Sequence, residues 1–242
     1  MWLNMDVTAQ LLSTAEDYHS FNPGRPQLLP YPTALEFSKQ VNRGLPCVYA
    51  VLPTRAEGVE NIIPSGLANH TPRKSRDAEL QAVQSLPAFS WTQAALLQHV
   101  QDDVDVAVTP DGRADALCTV GVQKETVFLQ PATASMSLKR LLEELCSPMP
   151  RDAGPAPVYY LQSQNSNLTS TPLSSLLADL PENFPFAEEV LGGPDAINIW
   201  IGNEQSVTST HRDPYENLYL VLRGGKTFTL WAPVDEVTMN GQ

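Results

Sequence analysis

His211 and Asp213 stand one residue apart in the run Thr208-Ser209-Thr210-His211-Arg212-Asp213-Pro214. In an extended chain side chains at i and i+2 point to the same side, so the imidazole and the carboxylate converge while Arg212 points away. Pro214 favours this by biasing Asp213 toward β or polyproline geometry. An imidazole and a carboxylate on one side supply two of the three ligands of a 2-His-1-carboxylate iron(II) site, which keeps open positions for an oxidant. By itself the H-x-D pattern also describes an ordinary turn with a surface histidine.

Lys226 gives the pattern a context. Gly224-Gly225 lies between two apolar runs, Asn217 to Leu222 and Thr227 to Trp231, and two residues free to adopt positive φ suit a type I′ hairpin turn. That register sets Arg223 opposite Lys226, Val221 opposite Phe228 and Tyr219 opposite Leu230. Asn217, Tyr219, Val221, Lys226, Phe228 and Leu230 then share one face. An ammonium on an apolar face is costly unless an anion meets it, and a bound carboxylate would do so. The alternative is that Lys226, at a hairpin tip, reaches into water.

The elements that must position these residues follow from periodicity. Leu11, Leu12, Ala15 and Tyr18 recur at helical spacing, and Thr33-Ala34-Leu35-Glu36 reads as a capping box opening a second helix. A helix near Trp91 to Val100 leads to a strand with alternating Val104, Val106 and Val108 and a turn at Thr109 to Gly112. Ser137 caps a helix carrying Leu138, Leu141, Leu142 and Leu145, and Thr171-Pro172 opens another with Leu173, Leu176, Leu177 and Leu180. Strands are expected at Ile197 to Ile201, Asn217 to Leu222 and Thr227 to Trp231. Apolar residues on both faces of the last two imply a sheet covered on each side, as in a small barrel or sandwich flanked by helices.

Composition sets the outer bounds. In 242 residues, 42% are hydrophobic and 17% charged, ordinary for a globular chain. The 21 Pro and 13 Gly favour short elements joined by turns. Fifteen Lys and Arg against 27 Asp and Glu leave a net charge of −12, which repels nucleic acid and anionic lipid and suits basic partners. No apolar run approaches the roughly 20 residues of a membrane span, and the first ten residues lack a basic and apolar leader pattern, so a cytoplasmic or nuclear location is expected. Cys47, Cys118 and Cys146 lie far apart and are expected to be reduced.

The string from Thr208 to Lys226, TSTHRDPYENLYLVLRGGK, resembles the active-site segment of the Jumonji-C (JmjC) 2-oxoglutarate oxygenases, in the branch of protein hydroxylases. The lysine falls fifteen positions after the histidine. Val106 to Ala116, Tyr160 to Leu168 and Pro194 to Gly202 are similar to the small Jumonji-C lysyl hydroxylases that are also described as peptidases. The resemblance implies a double-stranded β-helix, a cupin-like jelly roll of mixed α+β, mainly β character. It implies Fe(II) on His211 and Asp213, with the distal carboxylate of 2-oxoglutarate on Lys226. Thr208, Asn217 and Tyr160 match positions that help to hold the same cosubstrate. The implied activity is hydroxylation of a protein side chain, lysyl by resemblance, on a basic protein or peptide, with a homodimer as a possible assembly.

One departure is large. The family takes its second histidine from a late strand well past the aspartate, whereas this sequence ends at Gln242 and its other histidines, His19, His70 and His99, all lie upstream. The expectation is therefore a chain truncated before the third ligand, with a barrel incomplete at its C-terminal side. Three regions are expected: 1–52 as N-terminal helices, 53–86 as a Pro-rich, poorly ordered insert, and 87–242 as the first part of the JmjC domain. The competing reading is a catalytically inactive cupin-like binding module. A peptidase role has less support, since no Ser-His-Asp or Cys-His order and no H-E-x-x-H helix occurs.

Overall fold

Thr33 and Glu36 form the expected capping box. The Glu36 N–H donates to Thr33 Oγ1 at 3.3 Å and the Thr33 N–H donates to Glu36 Oε2 at 2.8 Å. The computed structural model describes residues 7–22, 24–51, 74–122, 124–147, 156–162 and 166–237. The chain divides into one unit of residues 1–81 with 218–242 and a second of residues 82–217.

In the first unit, α1 (Val7–Phe21) buries Ala15 and leaves Leu11 and Leu12 exposed. β1 (Gln27–Leu29) pairs in parallel with β2 (Cys47–Tyr49) across α2 (Ala34–Arg43), which buries Phe37 and ends on Gly44 at φ 61°. A short 3-10 turn, Pro233–Val237, packs on α1, where His19 Nε2 donates to Asp235 Oδ1 at 2.7 Å.

α3 (Lys74–Gln84) is a helix within the stretch expected to be poorly ordered. Its residues are mostly good helix formers, but with Val83 alone buried it carries no apolar period to read. Residues 52–73, the rest of that expectation and the position of His70, lie outside the described residues.

The second unit holds the main core. α4 (Gln93–His99) starts on Thr92, whose hydroxyl accepts from the Ala95 N–H. β3 (Asp103–Thr109) alternates as expected over its first four residues, with Val104 and Val106 buried while Asp103 and Asp105 face out; Val108 is half-buried and Thr109 is buried in its place. β4 (Arg113–Ala114) follows the turn, then a hairpin of β5 (Ala116–Val120) and β6 (Glu125–Leu129), and then β7 (Ala132–Ser137). α5 (Leu138–Cys146) is capped by Ser137 and buries Leu138 and Leu141. β3 is the centre of an antiparallel sheet, with β7 on one side and β8 (Val158–Tyr160) on the other; Ala107 is opposite Tyr160. Leu138, Leu141, Leu161, Leu168, Leu173 and Leu176 close over Val104, Val106 and Met136. Removing these apolar side chains from water stabilises the unit.

Three expectations need correcting. Thr171-Pro172 does open a helical segment, with Thr171 accepting from the Leu173 N–H, but Pro172–Asp179 is 3-10 and not α; Leu173 and Leu176, three apart, are the buried pair a threefold turn brings together. Ile197 to Ile201 makes one bridge, Leu161 to Ile201, in place of a ladder. The rest of that run bonds to α6 (Asn167–Ser170): Asn167, 0% exposed, donates from its side chain to the Ile199 carbonyl at 2.9 Å and accepts from the Ile199 N–H at 2.8 Å. α7 (Pro185–Leu191) precedes that run and β9 (Val207–Thr208) follows it.

The third correction concerns the hairpin. No strand ladder forms through Asn217 to Trp231 among the described residues, and Gly224 takes positive φ without Gly225. Two-stranded ribbons are marginal without a further strand or helix, and Leu218, Val221, Phe228, Leu230 and Trp231 are exposed. Tyr219 and Phe228, assigned to one face by the alternation, do meet edge to face at 4.9 Å between ring centroids. The paired strands thus make small sheets and not a closed barrel among the described residues.

Candidate functional site

The turn after β3 sets the entry to the site. Thr109 Oγ1 accepts from the Gly112 N–H at 2.8 Å and Asp111 Oδ1 accepts from the Arg113 N–H at 3.1 Å. Gly112 is at φ 87°, where a Cβ would collide with the Gln205 carbonyl oxygen, so glycine is required twice over. The close approach lets the Val207 N–H donate to the Gly112 carbonyl at 2.8 Å, and β9 runs parallel to β4 with Thr208 beside Ala114. Ser209 Oγ then donates to the Ala114 carbonyl at 3.0 Å.

His211 follows directly. Its Nδ1 lies 2.8 Å from the Ser209 carbonyl oxygen. A carbonyl only accepts, so Nδ1 carries the hydrogen and Nε2 presents its lone pair in the neutral ring. That Nε2 stands 3.6 Å from Asp213 Oδ1. A lone pair facing a carboxylate is satisfied by a proton or a cation between them. Donors about 2.1 Å from one ion lie about 3.0 Å apart at a right angle, so His211 and Asp213, at 3.6 Å, would close by about 0.6 Å on sharing one ion at that angle. The His211 and Asp213 side chains are 52% and 47% exposed, open to a ligand from solution. Asn217 Nδ2 donates to the other Asp213 oxygen at 3.1 Å and fixes the carboxylate plane.

Tyr160 and Thr208 form a second pair in the same unit. Burial pushes the Tyr160 phenol up, partly offset by its hydrogen bond with Thr208. Five of the six sequence-selected residues thus fall into two groups, His211 with Asp213 and Asn217, and Tyr160 with Thr208. Lys226 belongs to the first unit, where it is half-buried directly after Gly224-Gly225.

The donor set fits part of an iron(II) site: one imidazole and one carboxylate that can share an ion. Among the described residues no group of three His, Cys, Asp or Glu side chains could hold a metal. His19 bonds to Asp235, and His99 Nε2 lies 3.4 Å from Asp179 Oδ2, which also accepts from Trp91 Nε1 at 2.7 Å. Ser209 was not singled out from sequence, because its contribution to His211 is a backbone oxygen that any residue carries. Asn167 was not singled out either; its burial and its two bonds to Ile199 reveal it as a clamp.

Residues 34–241 match the family described as a cupin-like domain. The chain is 42% identical over 152 residues to the human "Bifunctional peptidase and (3S)-lysyl hydroxylase JMJD7", covering 62% of this chain and 43% of that protein. It is 37% identical over 146 residues to "JmjC domain-containing protein E" of Dictyostelium discoideum, covering 57% and 41%. It is 34% identical over 165 residues to "Lysine-specific demethylase JMJ32" of Arabidopsis thaliana, covering 64% and 44%. The matched part spans less than half the length of each relative. The chain belongs to the cupin-like domain family, in the Jumonji-C group that the segment around His211 resembles.

Proposed function

We propose that this chain contributes to an Fe(II)- and 2-oxoglutarate-dependent protein hydroxylase, with a lysyl side chain as the hydroxylated group. The observation that carries the reading is the convergence of His211 Nε2 and Asp213 Oδ1 at 3.6 Å, with Nδ1 held on the Ser209 carbonyl. In this reading His211 and Asp213 bind the metal and Asn217 orients the carboxylate. Tyr160 and Thr208 hold 2-oxoglutarate beside it, and Lys226 neutralises its distal carboxylate. Iron(II), when bound, supplies the chemistry by which O₂ converts 2-oxoglutarate to succinate and CO₂ and places a hydroxyl on a substrate C–H.

The names of two relatives support lysine as the target, since one is called a lysyl hydroxylase and the other a lysine-specific demethylase. The net charge of −12 favours a basic peptide around that lysine. Closure into a double-stranded β-helix and assembly as a homodimer belong to the same proposal. A second reading, a binding module without turnover, is favoured by the absence of a three-residue metal group among the described residues. Oxygen-dependent succinate formation with iron and a lysine-rich peptide separates the two: turnover abolished by His211→Ala supports the hydroxylase, and binding of 2-oxoglutarate without succinate supports the module.

A further inference from the structure

We infer that Gly202 is a positioning residue for the cosubstrate, acting by leaving room for the Tyr160 ring; this rests on the reading of Tyr160 and Thr208 as 2-oxoglutarate contacts. The geometry begins with Leu161 and Ile201, which exchange both backbone hydrogen bonds, at 2.9 and 3.1 Å. One step along this antiparallel bridge, Tyr160 faces Gly202 as a non-hydrogen-bonded pair, the position where cross-strand side chains come closest. A Cβ on Gly202 would lie 2.6 Å from Tyr160 Cδ2, 2.9 Å from Cε2 and 2.8 Å from Ser206 Oγ.

Backbone torsion does not demand glycine here, since Gly202 is not among the residues with positive φ. The requirement is space alone. An aromatic ring laid over a cross-strand glycine is a known way for sheets to fill that space. The two obstacles differ in their freedom to move. Ser206 Oγ is buried without a hydrogen-bond partner among the described residues, so it can rotate without breaking a bond. The Tyr160 ring is rigid, buried to 7% exposure and tied to Thr208 through its hydroxyl. A methyl at position 202 therefore displaces the ring and parts the phenol from Thr208.

The test is a double-mutant cycle on the full chain, reading 2-oxoglutarate affinity by calorimetry with Mn(II) as the metal probe. Gly202→Ala should weaken 2-oxoglutarate about tenfold, the scale of one hydrogen bond to a charged group, with Mn(II) affinity unchanged. Ring-labelled tyrosine NMR should show Tyr160 shifted before any ligand is added. In a Tyr160→Val background the ring is gone, and Gly202→Ala should then change neither affinity nor melting temperature; this arm also reports if Gly202→Ala alone does not fold. Equal losses in both backgrounds, or a Tyr160 resonance that stays in place, overturn the inference. Failure of the wild-type chain to bind 2-oxoglutarate with Mn(II) instead overturns the proposed function on which it rests.

Discussion

His211 Nε2 faces Asp213 Oδ1 across 3.6 Å, while the opposite ring nitrogen donates to the Ser209 carbonyl at 2.8 Å. That carbonyl is held in turn by the anchoring of Ser209 Oγ on Ala114. The imidazole tautomer is thus set by the backbone of β4 and β9, before any ligand arrives. An outer partner that fixes the ring in this way is a regular feature of metal-binding histidines.

Asn217 Nδ2 holds the second oxygen of Asp213 at 3.1 Å. Asn217→Ala should lower Mn(II) affinity about tenfold, in the range measured for outer partners of metal ligands. The exposed position predicts little change in melting temperature. Titration calorimetry checks both; unchanged Mn(II) affinity would mean the carboxylate needs no orienting.

Asn167 is fully buried and bonds to both backbone groups of Ile199. Asn167→Ala should destabilise the second unit by about 3 kcal/mol, because two buried backbone groups lose their partners. Asn167→Asp should be no milder, since a carboxylate cannot donate to the Ile199 carbonyl and its charge is buried. Urea denaturation measures this directly, and a loss under about 0.5 kcal/mol, the scale of a neutral surface change, would contradict it.

Asp235 titrates below the ordinary carboxylate range, chiefly because His19 donates a hydrogen bond to it. A depressed carboxylate contributes stability that is complete above the unfolded value of about 3.9 and is lost as pH falls through the folded value. His19→Ala should move the Asp235 titration up toward the ordinary value. Carboxyl-carbon NMR of wild type and variant tests this; identical titrations would remove His19 as the cause.

Local chemistry was legible where neighbouring residues settle it. Thr33 with Glu36, and Ser137, each cap the helix they announce, because a cap is decided within four residues. Val104 and Val106 show their face by alternation, and His211 with Asp213 converge because the same period of two applies. What depends on distant partners was not legible in this way. The expected Gly224-Gly225 ladder needs neighbouring strands to cover its faces, and Leu218, Phe228 and Trp231 are exposed instead. β5 and β6 passed unnoticed because apolar Leu117 and Phe128, paired across the two strands, occupy exposed positions and erase the alternation. Asn167 and Gly202 matter through residues 32 and 42 positions away, Ile199 and Tyr160, which no local pattern reveals.

Calorimetry of 2-oxoglutarate binding to this chain with and without Mn(II) decides whether His211 and Asp213 form a metal-dependent cosubstrate site. Binding should require Mn(II) and disappear in both His211→Ala and Asp213→Ala, each folded as judged by its melting curve. Binding that is indifferent to the metal, or that survives either substitution, would contradict it.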